Sequence, residues 1–287
     1  MKTEPVRWKD WDAVRCVAGG TELIVGFSAG PRVLSLTWRN SPNLLYHDTR
    51  NFGVGEWRLY GGHRFTVAPE CDASYEPDNA PCLVENRGPE LRVSAPLGSN
   101  GLRRALVISA ATDGSGFDVR HVLENHGGRL WRGALWAITC VPHSGSVVAP
   151  RTHPGMRYWP GADRAPWQVA RGYIAMTPNG ARGKAGWYSE AGWLASLQRE
   201  ATFVLHCPDP PPARECVDEG CNLEVFNCAD YVELETLSGE VTIAPGGHAA
   251  HLQRWRLLSP MFAPYDLPAI GAQAGCNSTA PEARYAP

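Results

Sequence analysis

Residues 117–124 read Phe-Asp-Val-Arg-His-Val-Leu-Glu, and apolar and polar side chains fall on largely alternate positions. One face of a strand would carry Phe117, Val119, His121 and Leu123, and the other would carry Asp118, Arg120, Val122 and Glu124. A period of two residues is typical of a half-buried β-strand. The turn residues Asn125-His126-Gly127-Gly128 follow directly, so the pattern predicts a strand that ends in a turn.

Similar strand patterns recur along the chain. Residues 32–38 and 104–109 also read as strands, and turns rich in glycine and proline separate such segments. No segment of ten to twelve residues has the 3.6-residue period of an amphipathic helix. The sequence therefore predicts an all-β protein with two packed antiparallel sheets and few helical turns.

The domain organisation is predicted to be simple. The 30 glycines and 24 prolines are spread over the 287 residues, and no linker divides them. We expect one domain over residues 1–287, with its core from about 20 to 258. The small, polar stretch from about residue 268 is expected to be loosely ordered. Proline-rich stretches at 149–167 and 207–216 are expected to be long loops, where sites are often found.

Charge and hydropathy exclude several classes of partner. The formal net charge is −2 and no basic run is present, which argues against binding to nucleic acid or to an anionic membrane surface. The first eight residues lack the apolar region of a signal peptide. No stretch approaches the ~18 apolar residues of a membrane helix. We expect a cytoplasmic protein, and the sequence specifies no oligomeric state.

The cysteines give little indication of a metal site. Four of the nine lie close together in sequence, at positions 207, 216, 221 and 228. None of them forms the closely spaced pair that zinc sites favour. We therefore expect buried, inert thiols, with no metal and no organic cofactor.

Residues 56–70, which read EWRLYGGHRFTVAPE, contain the densest group of candidate site residues. The Gly61-Gly62 pair allows the backbone to pass close to a ligand or to another strand. His63 offers a titratable group and Arg64 a fixed cation with several donors. Arginine beside aromatic rings suits a sugar pocket, because it donates to hydroxyls while a ring packs on the C–H face. Alternatively, Arg64 pairs with a carboxylate at the sandwich edge and His63 is solvated.

Residues 231–238, which read YVELETLS, place Glu233 and Glu235 two positions apart. On a strand the two side chains point to the same face. Such a pair is either a solvated edge or part of a site. In a pocket, at least one of the two carboxyls would have a raised pKa and suit general base catalysis.

These segments, in this order and at these separations, resemble the aldose 1-epimerase (galactose mutarotase-like) superfamily. The likeness is to an uncharacterised branch with GG-x-R, AP-E and E-L-E-T-L-S motifs. The matching segments here are Gly61-Gly62-His63-Arg64, Ala68-Pro69-Glu70, Lys184-Ala185-Gly186-Trp187 and Glu233-Leu234-Glu235-Thr236-Leu237-Ser238. The resemblance spans roughly residues 20–258 and implies a galactose mutarotase-like antiparallel β-sandwich, or supersandwich.

The resemblance implies chemistry at the anomeric centre of a sugar. In that family a carboxylate takes the proton of the C1 hydroxyl while an acid, usually histidine, protonates the ring oxygen. Glu235 matches the family's base, and Arg64 matches its early substrate-binding arginine. Further candidates for substrate binding are Glu70, Trp136, Lys184 and Glu233.

The acid does not match the family pattern. The family's histidine lies on the strand after the N-x-G turn, where this chain has Trp136, whose indole N–H only donates hydrogen bonds. Other candidates for the acid are His63, His143 and His153, and we expect His63 to be catalytic together with Glu235.

Three hypotheses about function remain. The first is an aldose 1-epimerase-like isomerase that acts on a small-molecule carbohydrate by general acid/base chemistry. The second is a non-catalytic carbohydrate-binding protein. The third is the same fold recruited for different chemistry on a modified or non-sugar substrate. We favour the enzyme, because the candidate base Glu235 and the candidate substrate arginine Arg64 are both present.

Overall fold

The computed structural model describes residues 1–48 and 56–276. Within these residues the chain forms 21 strands, one α-helix and two short 3-10 helices, Asp72–Tyr75 and Ala213–Glu215. In chain order, the strands and the helix are β1 (Lys2–Trp8), β2 (Trp11–Ala18), β3 (Thr21–Gly26), β4 (Arg32–Trp38), β5 (His63–Ala68), β6 (Leu83–Arg87), β7 (Glu90–Ser94), β8 (Leu102–Ala110), β9 (Gly116–Asn125), β10 (Trp131–Pro142), β11 (Ser146–Pro150), β12 (Arg157–Tyr158), β13 (Trp167–Ala170), β14 (Tyr173–Met176), β15 (Gly183–Trp187), β16 (Trp193–Leu197), β17 (Thr202–His206), β18 (Leu223–Asn227), β19 (Tyr231–Leu237), β20 (Val241–Ile243), β21 (His248–Leu258) and α1 (Leu267–Gln273).

The strands form two antiparallel sheets. The first sheet has 11 strands in the order β1-β2-β3-β4-β5-β10-β19-β18-β15-β12, and β20 pairs with β10. The second sheet has 10 strands in the order β13-β14-β11-β16-β17-β21-β9-β8-β7-β6. This architecture confirms the predicted all-β fold with two antiparallel sheets and few helical turns.

The main core lies between the two sheets. The first sheet contributes residues such as Leu23, Phe65 and Leu234, and the second contributes Phe117 and Trp255. Each of these side chains is at most 4% exposed. Burial of an apolar side chain of this size stabilises the fold by about 2 kcal/mol, so this layer provides the main driving force for packing the sheets together.

The alternation predicted for residues 117–124 is present in β9. Phe117, Val119 and Leu123 are fully buried in the core between the sheets. Asp118 lies on the opposite face of the strand and forms an ion pair with Arg256 at 2.9 Å. The two-residue period therefore separates a core face from an outer face, as a half-buried strand requires.

Core and outward-facing side chains also alternate along strand β5 of the first sheet. Phe65 and Val67 belong to the core, so the intervening Arg64 and Thr66 project from the opposite side. We call this side, turned away from the second sheet, the outer face of the first sheet. The candidate site lies on it.

The Gly61-Gly62 pair lets two chain segments approach each other closely. The φ angles are +75° at Gly61 and +68° at Gly62, a region that side chains disfavour. A Cβ atom would lie 2.5 Å from the carbonyl oxygen of Tyr46 at Gly61, and 2.2 Å from that of Val33 at Gly62. Of the two uses predicted for this pair, the structure shows approach to neighbouring backbone.

Helix α1 lies where the sequence predicts a loosely ordered stretch from about residue 268. Its N-cap, Asp266, accepts a hydrogen bond from the backbone of Ala269 at 3.0 Å. Ile270 and Cys276 are buried in a cluster that contains Trp193 of β16. Residues 268–276 thus pack against the second sheet, and residues 277–287 lie outside the described residues.

In the described part of the chain, no helix has the length and apolar character needed to cross a membrane. The cytoplasmic location stays a prediction.

Candidate functional site

A cavity of about 610 Å³ opens on the outer face of the first sheet. Its volume falls within the range of about 300–1,000 Å³ typical of small-molecule sites. The residues that line it are Trp57, Arg64, Glu70, Tyr75, Trp136, Ile138, Trp159, Pro160, Gly161, Arg182, Gly183, Lys184, Phe226, Tyr231, Glu233 and Glu235. All the predicted site residues except His63 therefore line one cavity.

One row of paired residues crosses the floor of this cavity. Arg64 of β5 lies opposite Ile138 of β10, which in turn lies opposite Glu235 of β19. Glu235 pairs on its other side with Glu224 of β18. Residues paired across antiparallel strands project to the same face. Arg64 and Glu235 are therefore two strands apart, a backbone separation of about 10 Å, and both face the cavity.

Glu235 is held by two donors that converge on one of its oxygens. The indole Nε1 of Trp136 donates to Glu235 Oε2 at 2.7 Å, and Lys184 Nζ lies 3.0 Å from the same oxygen. The side chain of Glu235 is 0% exposed. Its other oxygen, Oε1, is buried and accepts no hydrogen bond from any described residue. An unpaired buried carboxylate oxygen is costly, and a hydroxyl of a bound ligand would satisfy it.

Lys184 bridges two carboxylates beneath the cavity. Its Nζ lies 2.6 Å from Glu224 Oε2 as well as 3.0 Å from Glu235 Oε2. Burial acts to lower the pKa of Lys184, but the two carboxylates outweigh burial and hold the pKa above its ordinary value. Burial raises the pKa of Glu224, and Glu235 raises it further. We infer that Lys184 carries its charge and fixes the position of Glu235.

Two indole rings confine the ammonium group of Lys184. Its Nζ lies 4.2 Å from the ring centroid of Trp136 and 4.9 Å from that of Trp159. Both contacts are within the range of cation–π attraction. Trp159 belongs to the proline-rich stretch 149–167, which the sequence marked as a loop where a site is expected. That stretch supplies Trp159, Pro160 and Gly161 to the cavity wall.

Glu233 has a less polar environment than Glu235. It is partly buried, and its Oε1 accepts a hydrogen bond from the thiol of Cys140, with 3.7 Å between Sγ and Oε1. Burial and the neighbouring Glu235 raise the pKa of Glu233 to about 7, although Arg64 and Lys184 act in the opposite direction. Burial and Glu235 therefore both favour the protonated form of Glu233.

Arg64 offers donors to the cavity. It is 8% exposed, and its guanidinium carbon lies 5.2 Å from the ring centroid of Trp57. Its side chain makes no hydrogen bond or ion pair with any described residue. The carboxylate pairing weighed as the alternative is therefore not seen there. A buried guanidinium with unused N–H groups is suited to bind an oxygen-rich ligand.

Glu70 lies at the cavity beside an aromatic wall. It accepts a short hydrogen bond from the hydroxyl of Tyr75, whose ring stacks edge-on against Trp57 with centroids 5.5 Å apart. Burial and then Glu70 raise the pKa of Tyr75 to about 12. The phenol therefore stays protonated as a donor. Together with Trp136 and Trp159, these rings provide the apolar surfaces on which sugar C–H groups pack.

The structure does not bring His63 to the cavity. His63 and Arg64 are consecutive on β5, so their side chains point to opposite faces of the sheet. His63 is fully buried in the core. Its Nδ1 lies 2.8 Å from Thr139 Oγ1, and its Nε2 lies 2.7 Å from His121 Nε2. Burial holds the pKa of His63 well below its ordinary value. The expectation that His63 is the acid, or alternatively solvated, is corrected: the alternation of β5 turns it into the core.

The other two histidines considered as acids also lie away from the cavity lining. His143 accepts a hydrogen bond from the backbone of Gly180 at 3.0 Å. His153 lies 3.2 Å from Glu190 and beside the ring of Tyr188. No described histidine lines this cavity.

Glu224 is the main site residue that the sequence analysis missed. It is 0% exposed and interacts with Lys184, which in turn holds Glu235. The sequence signal is a single charged residue among the apolar residues Leu223, Val225 and Phe226. Because charged side chains are almost never fully buried unless paired, that position indicated a partner.

No group of three or more histidine, cysteine, aspartate or glutamate side chains within residues 1–48 and 56–276 is arranged to hold a metal ion.

The sequence matches no protein-family model and no curated protein sequence. Solved structures are similar in fold. A galactose mutarotase-like protein from Lactobacillus casei has a TM-score of 0.59 and 10% identity, over 85% of this chain and 99% of that protein. A galactose mutarotase-like protein from Clostridium acetobutylicum has a TM-score of 0.56 and 10% identity, over 90% of this chain and 98% of that one.

A third structure is a Klebsiella pneumoniae protein described as a candidate aldose 1-epimerase, with a TM-score of 0.62 and 10% identity. The match covers 95% of this chain and 84% of that protein. Sequence identities of 10% support a similarity of fold and carry no information about activity. The two antiparallel sheets and these similarities agree with the resemblance found in the motifs. The chain has the galactose mutarotase-like β-sandwich fold.

Proposed function

We propose that the cavity binds an aldose and that the protein interconverts its α and β anomers, in the manner of an aldose 1-epimerase. The observation that carries this proposal is the fixed carboxylate of Glu235. Trp136 and Lys184 hold its Oε2, while Oε1 has no partner among the described residues. A positioned carboxylate with one unused oxygen suits a general base.

In this mechanism Glu235 takes the proton of the C1 hydroxyl while the bond between C1 and the ring oxygen breaks and an acid at the cavity protonates the ring oxygen. Arg64 donates hydrogen bonds to sugar hydroxyls from the other side of the floor, since its N–H groups are unused within the described chain. The rings of Trp57, Trp136 and Trp159 contact the C–H faces of the sugar. Rotation about C1–C2 and closure then give the other anomer.

Carbohydrate binding without turnover is the second candidate. It is favoured by Trp136, which occupies the place where the resembling family has its catalytic histidine. An indole N–H cannot protonate a ring oxygen at neutral pH.

Two-dimensional NMR exchange between the anomers of a panel of aldoses distinguishes the two candidates. The proposed function predicts exchange faster than in buffer alone. Saturable binding without faster exchange would support the binding protein instead. If neither exchange nor binding is seen for any aldose, both candidates are wrong and the substrate is not a simple sugar.

A further inference from the structure

Glu233 and Glu235 form a pair of carboxyls with a shared orientation. They lie two positions apart on β19, and both line the cavity. Their Cα atoms are about 7 Å apart along the strand. In a cyclic sugar the C1 hydroxyl and the ring oxygen are bonded to the same carbon. Two carboxyls on one face of the cavity can therefore serve these two oxygens of one bound sugar.

The two carboxyls differ in what surrounds them. Glu235 receives an indole N–H and an ammonium group at its Oε2. Glu233 accepts a hydrogen bond from the thiol of Cys140. Burial holds the pKa of this thiol well above its ordinary value. Cys140 is therefore a neutral donor. Such a difference between two neighbouring carboxyls separates an acid from a base.

The remaining groups that face Glu233 come from four strands. Phe226 of β18 is its cross-strand partner, and Tyr231 lies two residues before it on β19. Burial raises the pKa of Tyr231, and Glu233 raises it further, so the phenol stays neutral. Arg64 of β5 and Lys184 of β15 are the cations that act on Glu233. Lys184 is engaged by Glu224 and Glu235.

We propose that Glu233 is the general acid that protonates the ring oxygen, at a cavity whose described lining residues include no histidine. This inference rests on the proposed function. It is supported by the position of Glu233 beside Glu235 at the cavity and by the thiol that donates a hydrogen bond to it.

The proton transfers balance within one cycle. Glu235 carboxylate accepts the proton of the C1 hydroxyl, the C1–O5 bond breaks, and Glu233 carboxylic acid gives its proton to O5. The product is the open-chain aldehyde with an O5 hydroxyl. After rotation about C1–C2, Glu233 carboxylate takes back the O5 proton while O5 attacks C1. Glu235 carboxylic acid returns its proton to the former aldehyde oxygen, and both groups regain their starting states.

The test is the anomer-exchange rate as a function of pH, measured for the wild-type protein and for Glu233→Gln. Because the acid acts in its protonated form, wild-type activity should fall as pH rises through about 7. Glu233→Gln should lower kcat about 100-fold or more, keep its sugar affinity, and lose this alkaline fall. Glu233→Asp should keep part of the activity and the alkaline fall, because it retains a carboxyl.

The matched control is Glu240→Gln. Glu240 pairs with Arg132 at 2.6 Å on β10 and lies away from the cavity. This variant should behave as wild type. If Glu233→Gln folds and keeps the wild-type rate and pH profile, the acid role is wrong while the proposed function stands. If the wild-type protein does not accelerate exchange, the proposed function fails and the acid role with it.

Discussion

The indole nitrogen of Trp136 lies 2.7 Å from Oε2 of Glu235, across adjacent strands β10 and β19. The two residues are not direct cross-strand partners, because Trp136 pairs with Leu237 and Glu235 with Ile138. The contact is therefore diagonal, between side chains that share the outer face of the first sheet. It ties an indole of the cavity wall to the candidate base.

Removal of this hydrogen bond should weaken catalysis without unfolding the protein. Trp136→Phe keeps an aromatic ring over Lys184 but loses the N–H that donates to Glu235. A hydrogen bond to a charged group contributes about 1.5–3 kcal/mol, so we expect the exchange rate to fall about tenfold or more. Trp38→Phe, on β4 and outside the cavity lining, is the control. An unchanged rate in Trp136→Phe would show that Glu235 does not depend on the indole.

Lys184→Met should destabilise the fold. The substitution leaves Glu224 and Glu235 buried without their cation, which costs about 3 kcal/mol or more in the free energy of unfolding. The double variant Lys184→Met/Glu224→Gln should recover part of this loss, because one of the two carboxylates is removed. Urea denaturation at pH 7 measures both effects. Equal stability of the single and double variants would contradict the bridging role of Lys184.

An exposed ion pair provides the comparison for Lys184. Arg132→Met removes the partner of Glu240 at the protein surface, and we expect only a small change in the urea midpoint.

Arg64 should contribute to sugar affinity. Arg64→Ala removes buried guanidinium donors that are unused in the described protein, so the dissociation constant of the sugar should rise about tenfold or more. The intrinsic fluorescence of the tryptophans that line the cavity reports binding. Arg103→Ala, at the Glu124 ion pair on β8, is the control. Equal affinity in the wild-type protein and Arg64→Ala would remove Arg64 from the site.

The buried histidines should make the fold sensitive to acid. Burial lowers the pKa of His121 to about 4 and that of His251 to about 3, and it holds the pKa of His63 well below its ordinary value. The unfolded chain binds protons near pH 6.5, whereas the folded protein keeps these rings neutral. Their contribution to stability is therefore complete above about pH 6.5 and is lost progressively as pH falls towards 4 and 3.

Urea midpoints between pH 8 and pH 4 test this acid sensitivity. His63→Gln should reduce the dependence on pH and keep the anomer-exchange activity, because His63 lies outside the cavity. His126→Gln, at an exposed pair with Glu124, should leave the dependence unchanged. A wild-type midpoint that stays constant over this range would contradict the buried neutral network.

Local patterns in the sequence predict much of this protein. The alternation in residues 117–124 indicates a half-buried strand, and β9 confirms it. The two-residue spacing of Glu233 and Glu235 predicts a shared face, and both line the cavity. These inferences need only the geometry of a single strand, which the sequence carries locally.

Features that depend on distant parts of the chain were harder to predict. The core position of His63 follows from its alternation with Phe65 and Val67, but the groups beside its ring nitrogens, Thr139 and His121, come from distant strands. Glu224 meets Lys184 through the register of β15 and β18. Tyr75 reaches the cavity from a short 3-10 helix that no periodicity marks. Each of these depends on long-range register rather than on local pattern.

The proposed mechanism depends on Glu235 as the base that takes the proton of the C1 hydroxyl. NMR exchange on the aldose that the wild-type protein converts fastest, repeated with Glu235→Gln and with Glu240→Gln, tests it most directly. We predict that Glu235→Gln binds the sugar but exchanges its anomers at the buffer rate, while Glu240→Gln matches the wild type. Exchange by a folded Glu235→Gln protein at the wild-type rate would rule out Glu235 as the base.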